Sequence, residues 1–381
     1  MNNKKNLFSL VTVLFWFSLY AYVPQMTSYA KEMGASYKLI GLIAGAYGLS
    51  QTILRIPIGI LSDKIRNRKI FILIGIVASI LSALLVYVFP NPYTLLAARF
   101  LAGIASATWV NFTVLFLSYF EPSQSAKSIG IATSNSKVGQ LVAMFVGGFI
   151  AVRFGVVNIF VVSIIFGLLA FILGFWIEED KVQTKQEKTI TPGILTVLND
   201  KRIIHISFLG CLAQFISYST AFGFTPLIAT NLGANSLQLS YLSVAYTFPQ
   251  ILFSVISGTI LVKKFGEKNT LLFGFILTTT FCIMTPFAPN LIILYVMQFI
   301  SGIGNSITFP LLMSMVIKGV DSSMMTTTMG FYQATYGLGM IVGPIILGSI
   351  GDVFGLKYGF IAVGLLSMLS IWSVVKTKEN F

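Results

Sequence analysis

Apolar residues run along this chain in blocks of about twenty, interrupted by short polar or glycine-rich breaks. Each block is long enough to cross a hydrocarbon core of roughly 30 Å at about 1.5 Å rise per residue. Twelve spans are predicted, near residues 7–29, 38–61, 70–89, 92–118, 127–150, 156–177, 203–229, 237–261, 269–288, 291–317, 325–350 and 356–375. The expected fold class is an all-α membrane protein of twelve transmembrane helices in two pseudo-symmetric six-helix bundles.

The pairing of bundles rests on an internal repeat. A shift of 199 residues superimposes Gly34 on Gly233, Tyr47 on Tyr246, Gln51 on Gln250, Gly59 on Gly258, Gly75 on Gly274 and Gly103 on Gly302. At a shift of 200, Gly130 meets Gly330, Gly139 meets Gly339, Gly148 meets Gly348, and Phe154-Gly155 meets Phe354-Gly355. Isolated glycine matches are easy in a Gly-rich chain, but a near-constant offset across most of a half is the mark of a tandem duplication. The expected division is an N-terminal bundle over 1–177, a linker over 178–200 and a C-terminal bundle over 201–381. The linker holds the one long polar stretch, with Glu178-Glu179-Asp180-Lys181 and Lys185-Gln186-Glu187-Lys188, and reads as solvated. Parallel repeats of this kind put a substrate site between the halves near the bilayer midplane, with alternating access by rocking.

Composition agrees: 56% of residues are hydrophobic and 10% charged, too few charges to cover a soluble surface. The net charge of +13 would suit nucleic acid, but the positions of the basic residues follow membrane topology instead. With both termini cytoplasmic, 18 of the 25 Lys and Arg lie inside, four (Lys31, Lys38, Arg153, Lys357) lie outside and three are embedded, which sets the orientation by the positive-inside rule. The expected location is the plasma membrane. Lys4, Lys5, an apolar stretch and Ser28-Tyr29-Ala30 resemble a cleavable secretory signal. Retention of the first span is expected because Pro24 resembles Pro226 of the seventh and its loss would leave an odd helix count. Cys211 and Cys282 lie in different spans and imply neither a disulfide framework nor a metal site.

After the second span, Gly59-Ile60-Leu61-Ser62-Asp63-Lys64-Ile65-Arg66-Asn67-Arg68-Lys69 resembles the signature loop of the major facilitator superfamily, Gly-x-Leu-x-Asp-Arg-x-Gly-Arg-Arg. Two departures are read, Lys64 in place of Arg and Asn67 in place of Gly, and Asn is expected to supply the left-handed turn. The resemblance covers essentially the whole chain and is to the compact, efflux-like twelve-helix branch. It implies a gating role for Gly59, Asp63, Arg66, Arg68 and Lys69, with Asp63 latching onto the positive end of the eleventh helix near Ser322-Ser323; a purely topogenic basic loop is the alternative. Leu96-Ala97-Ala98-Arg99-Phe100-Leu101-Ala102-Gly103 is similar to the family's buried-Arg motif, linked to proton coupling in antiporters. In the fifth span Gly139, Gly147 and Gly148 keep the frame of the family's antiporter pattern, but Ala143 and Met144 replace its Gly-Pro; the eleventh span keeps Gly339, Gly343, Pro344 and Gly348. Close helix packing alone explains both stripes.

All embedded formal charge is positive: Arg55, Arg99 and Lys137, with no Asp or Glu well inside a span. Each costs about 2.5–3.5 kcal/mol at a helix centre and is expected to face the protein interior or a wet cavity. Lys137 falls about ten residues, roughly 15 Å, from its helix end, near the midplane. Arg55 alternatively snorkels or pairs with Asp63, and Arg99 alternatively donates to backbone carbonyls. Tyr47, Gln51 and Arg55 form one stripe at four-residue spacing, repeated by Tyr246 and Gln250. With Asn111, Gln140, Gln298, Asn305 and Gln333, these side chains are candidates for hydrogen-bonding a polar ligand, or for interhelical bonds. Trp16, Tyr20, Tyr218 and Phe222 offer an apolar wall or ordinary packing, and His205 reads as interfacial rather than a relay.

These features point to a secondary active transporter for a small anionic or zwitterionic organic molecule, because a cavity selecting lipophilic cations needs a buried carboxylate. Export by proton antiport is expected, with an ion gradient rather than a cofactor as the driving force, membrane lipid and a small-molecule substrate as partners, no nucleic acid, and a functional monomer. Uptake of an organic anion, or translocation of a lipid or lysolipid headgroup through the basic cavity, are the alternatives. A membrane enzyme or receptor is disfavoured: the sequence has no nucleotide loop, metal cluster or nucleophile with a base.

Overall fold

The computed structural model describes the chain except residue 1 and residues 122–123, 180–196, 257–259, 321–323 and 378–381, and, within helices, the side chains of residues 2, 63, 125–127, 254–256 and 326. In hydrocarbon every backbone N–H and C=O must find a partner inside the protein, and a helix satisfies them within one segment. The described elements are accordingly helical. The first repeat forms α1 (Asn2–Tyr20), α2 (Met26–Glu32), α3 (Tyr37–Ile65), α4 (Arg68–Val88), α5 (Pro92–Ala107), α6 (Trp109–Ser118), α7 (Ser125–Phe154) and α8 (Val157–Gly174). The second forms α9 (Lys201–Ser219), a π-helical turn (Thr220–Phe224), α10 (Thr225–Asn231), α11 (Ser236–Ile256), α12 (Val262–Met284), α13 (Leu291–Ile317), α14 (Met325–Phe354) and α15 (Leu356–Lys376).

Among the described residues, ten helical stretches are long and apolar enough to cross a membrane. The other two predicted spans, 7–29 and 237–261, are also helical, as α1 with α2 and as α11, but carry more polar residues, among them Lys4, Lys5, Gln238 and Gln250. Three spans expected as continuous helices are broken. The first opens over residues 21–25, where Pro24 lacks an N–H and three-residue bonds such as Gln25 N–H to Tyr22 O at 3.2 Å take over. The fourth breaks at Thr108, whose hydroxyl donates to Ala105 O at 2.7 Å. The seventh widens into the π turn just before Pro226, with the Ser219 and Thr220 hydroxyls donating to Phe215 O and Ile216 O at 2.6 and 2.8 Å.

The described residues pack as two units, one within Met1–Ala35, Leu49–Lys185 and Asn235–Tyr241, the other within Ser36–Gly48, Gln186–Ala234 and Leu242–Phe381. Each has the same helix neighbours: α1 packs on α7 and α4 on α5 and α8, as α9 packs on α14 and α12 on α13 and α15. The first core is aromatic, with Phe8 stacked on Phe116 at 5.2 Å and Phe15 on Phe112 at 4.7 Å. The second is built from Ile206, Leu209, Leu271, Phe275, Leu312, Val316 and Val374. Large apolar side chains such as Ile74, Phe149, Ile165, Leu168, Leu338 and Leu365 stand exposed, as lipid contact requires.

The units exchange segments relative to the repeats. The first turns of α3 lie in the second unit, where Asp352 near the end of α14 accepts the backbone N–H of Tyr37 at 2.6 Å and of Lys38 at 2.8 Å. These are orphan donors at a helix start, and the carboxylate meets the positive end of the dipole. The first turn of α11 lies in the first unit, where Gln25 Nε2 donates to Ser236 O and Ser240 Oγ, both at 2.9 Å.

The α3–α4 loop corrects one expectation. Asn67 is not left-handed (φ −145°) but caps α4, its side chain accepting Ile70 N–H at 3.1 Å. The residue at positive φ is Arg66 (φ 55°), and counting from Gly59 shows that position 66 is the glycine slot of the family pattern. Gly266 (φ 77°), 200 residues on, keeps glycine there. The latch itself lies outside the described residues, since the Asp63 side chain and Ser322-Ser323 are both among those excluded. The other loop residues are anchored locally: Glu179 accepts the backbone N–H of Arg68 and Lys69 at 2.8 and 2.9 Å, and Lys69 Nζ donates to Phe175 O at 2.6 Å. Lys268 Nζ repeats this, donating to Thr377 O at 2.6 Å.

Relief of left-handed strain predicts that Arg66→Gly stabilises the protein by up to about 1 kcal/mol, whereas Asn67→Ala destabilises it by about 1 kcal/mol through loss of the cap. Thermal unfolding in detergent checks both signs; stabilisation by Asn67→Gly but not by Arg66→Gly would return the glycine slot to position 67.

Candidate substrate-binding site

In the first unit, α7 carries Lys137 and Gln140 one turn apart, with Lys137 Nζ donating to Gln140 Oε1 at 3.3 Å. That long contact to a neutral oxygen is the ammonium's only partner among the described residues. Lys137 is half-buried and Gln140 buried. Between them Gly139 lets α7 close on α1: a Cβ there would lie 2.5 Å from Val13 O and 3.1 Å from the Trp16 Cβ. Trp16 is thereby held against the face of α7 that carries Gly139, which is turned away from Lys137. Its ring meets Trp109 at 5.3 Å and 74°, and Tyr20 at 5.6 Å. Trp16 Nε1 and, on α6, the Asn111 Nδ2 are buried donors with no acceptor among the described residues.

The remaining basic residues sit apart in the helix order. Arg99 is buried on α5, one residue beyond Ala98, whose carbonyl accepts the Ser82 hydroxyl at 2.8 Å. Arg55 is half-buried on α3, one turn after the buried Gln51, whose Oε1 has no donor among the described residues. Described acidic side chains lie in loops or near helix ends, at Glu32, Glu121, Glu178, Glu179, Asp200, Glu267 and Asp352. Embedded charge among the described side chains is thus positive.

The second unit assembles a neutral counterpart around the π turn. Tyr246 OH donates to Ser217 Oγ at 2.9 Å, and Ser217 in turn reaches Asn305 Oδ1 at 3.0 Å. Gln250 Nε2 donates to Tyr246 O at 3.4 Å. Phe222 lies edge-on to Tyr246 at 5.7 Å and against Tyr218 at 5.3 Å, and Tyr218 stacks on Tyr47 at 6.3 Å and 16°. The stripe of Tyr47, Gln51 and Arg55 is therefore divided: Tyr47 joins this cluster while Gln51 and Arg55 belong to the first unit. Gln298 is buried on α13 and Gln333 half-buried on α14. His205 faces the hydroxyls of Ser373 and Thr377 at 3.4 and 3.3 Å.

The glycine stripes lie at backbone contacts. Cβ atoms at Gly147 and Gly148 would lie 2.0 Å from Ala21 O and 2.2 Å from Ser240 Oγ. At Gly339, Gly343 and Gly348 they would meet Cys211 O, Phe215 O and Tyr37 O at 2.0, 2.5 and 2.2 Å, and Pro344 O lies against Gly41. Sequence reading passed over Trp109, Ser217 and Gln25; the signal available for Trp109 was its place one turn from Phe112 on a face otherwise aromatic.

This arrangement of two six-helix repeats is matched in both halves by the family model of the Major Facilitator Superfamily, over residues 8–227 and 206–380. The chain belongs to that superfamily. Among its relatives, an uncharacterized MFS-type transporter of Methanocaldococcus jannaschii is 26% identical over 91% of this chain and 93% of its own length. The multi-drug resistance efflux pump PmrA of Streptococcus pneumoniae is 26% identical over 94% of this chain and 93% of its own. The crystal structure of a mutant of the nucleoside transporter NupG superposes with a TM-score of 0.83 at 14% identity, covering 98% of this chain and 99% of that one. The protein is thus a multi-pass transporter of the superfamily with efflux pumps among its relatives.

Removing the Tyr246 hydroxyl by Tyr246→Phe is expected to cost about 1 kcal/mol through loss of its hydrogen bond to Ser217. Gly339→Val is expected to cost about 1–3 kcal/mol or prevent folding, since the side chain meets backbone rather than a movable tip. Thermal unfolding followed by fluorescence-detected size exclusion measures both, and a silent Gly339→Val would show that α9 and α14 do not approach this closely.

Proposed function

We propose that the protein is a proton-coupled exporter of a small anionic or zwitterionic organic molecule, working by rocker-switch alternating access. The observation that carries this reading is Lys137, an ammonium in the body of α7 whose only described partner is a neutral amide oxygen 3.3 Å away. A cation held in a span without a counterion is completed by an anionic ligand. A lysine also exchanges its proton, which an arginine does not, so ligand and proton are linked at one group: anion binding favours the charged form and proton release favours ligand departure. Arg99, buried on α5, supplies a fixed charge to the same unit. The efflux pump PmrA among the relatives supports export over uptake. The basic loops support cytoplasmic termini in the cell membrane, and on this reading the protein works as a monomer driven by an ion gradient.

In proteoliposomes, adding substrate to the wild type should move protons, read by an entrapped pH dye, while Lys137→Gln and Arg99→Gln proteins that remain folded should move none. Wild-type proton movement and transport by both variants would overturn the proposal. Accumulation driven by an inward rather than an outward substrate route would reverse the direction while leaving the coupling intact.

A further inference from the structure

The seam between α4 and α8 in the first unit closes at two points and stays open between them. Gly167 and Gly174 on α8 let the helices approach: Cβ atoms there would lie 2.6 Å from Ile80 Cγ1 and 2.8 Å from Leu73 Cδ2. Midway between the two glycines Phe171 stands half-buried, and with Ile70, Leu73, Ile74 and Val77 it lines a groove of about 270 Å³. That is room for about nine waters at roughly 30 Å³ each, yet every lining side chain is hydrocarbon. Ile70 and Ile74 are exposed, so the groove opens outward, and Ile70, Ile74 and Val77 follow one another along a single face of α4. A hydrocarbon chain lying along the helix suits such a groove and water does not.

One end of the groove carries a charge. Lys69 directly precedes Ile70, and its Nζ crosses the seam to donate to Phe175 O at 2.6 Å. The Phe175 ring meets the Phe171 ring edge-on at 4.9 Å, so ammonium and groove share the C-terminal end of α8. Lys69 is half-buried, and Phe175 O is its ammonium's one partner among the described residues, which leaves two of its three donors. Capping the carbonyl end of α8 accounts for that one bond but for neither the remaining donors nor the groove. Lys268 makes the same bond in the second repeat, to Thr377 O, where Asn269 and Phe273 stand in place of Ile70 and Ile74. The surroundings of Lys69 are basic. Residues Asp63 to Lys69 include four bases and one acid. Beyond α8, Glu178 is paired with Lys4, and Glu179 accepts the backbone N–H of Arg68 and Lys69. Phe175 and Trp176 stand exposed, as rings do at the level of lipid headgroups, and by the positive-inside rule this end meets the leaflet that carries anionic lipid.

We infer that this groove binds one anionic phospholipid, an acyl chain lying along Ile70, Ile74, Val77 and Phe171 and the phosphate held by Lys69. The site is separate from the residues proposed to handle the transported molecule and holds whatever that molecule is.

Native mass spectrometry of the purified, delipidated full chain tests this with three probes: phosphatidylglycerol, phosphatidylcholine with the same acyl chains, and glycerol 3-phosphate, which has the anion without the chains. The first phosphatidylglycerol is expected to bind at least tenfold more tightly than either of the others. Lys69→Gln should weaken phosphatidylglycerol at least tenfold and phosphatidylcholine less than twofold. Lys69→Arg should retain most of the affinity and so report that the fold is intact. Ile74→Trp, which fills the groove while leaving Lys69 in place, should weaken both lipids. Lys268→Gln removes the equivalent helix cap of the second repeat and should change neither. Equal binding of the two lipids, phosphatidylglycerol affinity indifferent to Lys69→Gln or to Ile74→Trp, or an equal loss on Lys268→Gln would each overturn the inference. Glycerol 3-phosphate bound as tightly as phosphatidylglycerol would overturn it too, by making the ligand a soluble anion that does not use the groove.

Discussion

The constraint on which everything else depends is that hydrocarbon offers no hydrogen bonds. Backbone groups must be satisfied inside the protein, so the chain is helical wherever it crosses, and each departure from helix has to be closed locally. The three breaks obey this. Residues 21–25 close on three-residue bonds, Thr108 donates its hydroxyl to Ala105 O, and the π turn borrows the hydroxyls of Ser219 and Thr220. All three breaks sit beside the aromatic residues of the candidate site: Tyr20 ends α1, Trp109 follows Thr108, and Tyr218 and Phe222 flank or lie within the π turn. Interrupted spans are where transporters place ligands.

The same scarcity of polar partners explains the contrast between the halves. The duplication built two scaffolds with the same helix neighbours, but Arg99 and Lys137 have the neutral counterparts Gln298 and Gly337. In the second unit the neutral side chains form a chain of hydrogen bonds from Tyr246 through Ser217 to Asn305. In the first, Lys137 reaches only the Gln140 amide oxygen among the described residues.

Much of this was legible in the sequence, for physical reasons that differ by feature. Span positions follow from apolar length, and the repeat from glycines whose spacing survives divergence because Gly139, Gly148, Gly339 and Gly348 each abut backbone or a short side chain. A buried charge such as Lys137 is visible because its cost is set by depth alone. What sequence could not supply was pairing. An averaged hydropathy window runs straight across Thr108 and the π turn, the exchange of the α3 and α11 ends depends on contacts hundreds of residues apart, and Trp109 reads as one more apolar residue until Trp16 is found against it. The left-handed residue was misplaced because Asn67 is a plausible turn former; the loop instead uses Asn67 as a cap and lets Arg66 bear the strain.

The clasp between Asp352 and the start of α3 bears on biosynthesis. The carboxylate lies 315 residues after Tyr37 in the chain. At translation rates of about 5–20 residues per second, roughly 15–60 s pass between the emergence of that helix start and the arrival of the group that caps it. During that interval the two orphan amides have to be satisfied by water or headgroups at the bilayer surface, and the glycine-lined flank of α3 at Gly41 and Gly45 waits without α14. The newborn first repeat is therefore an incomplete object however well it inserts, and the final seating of its second long helix belongs to the end of synthesis rather than its beginning.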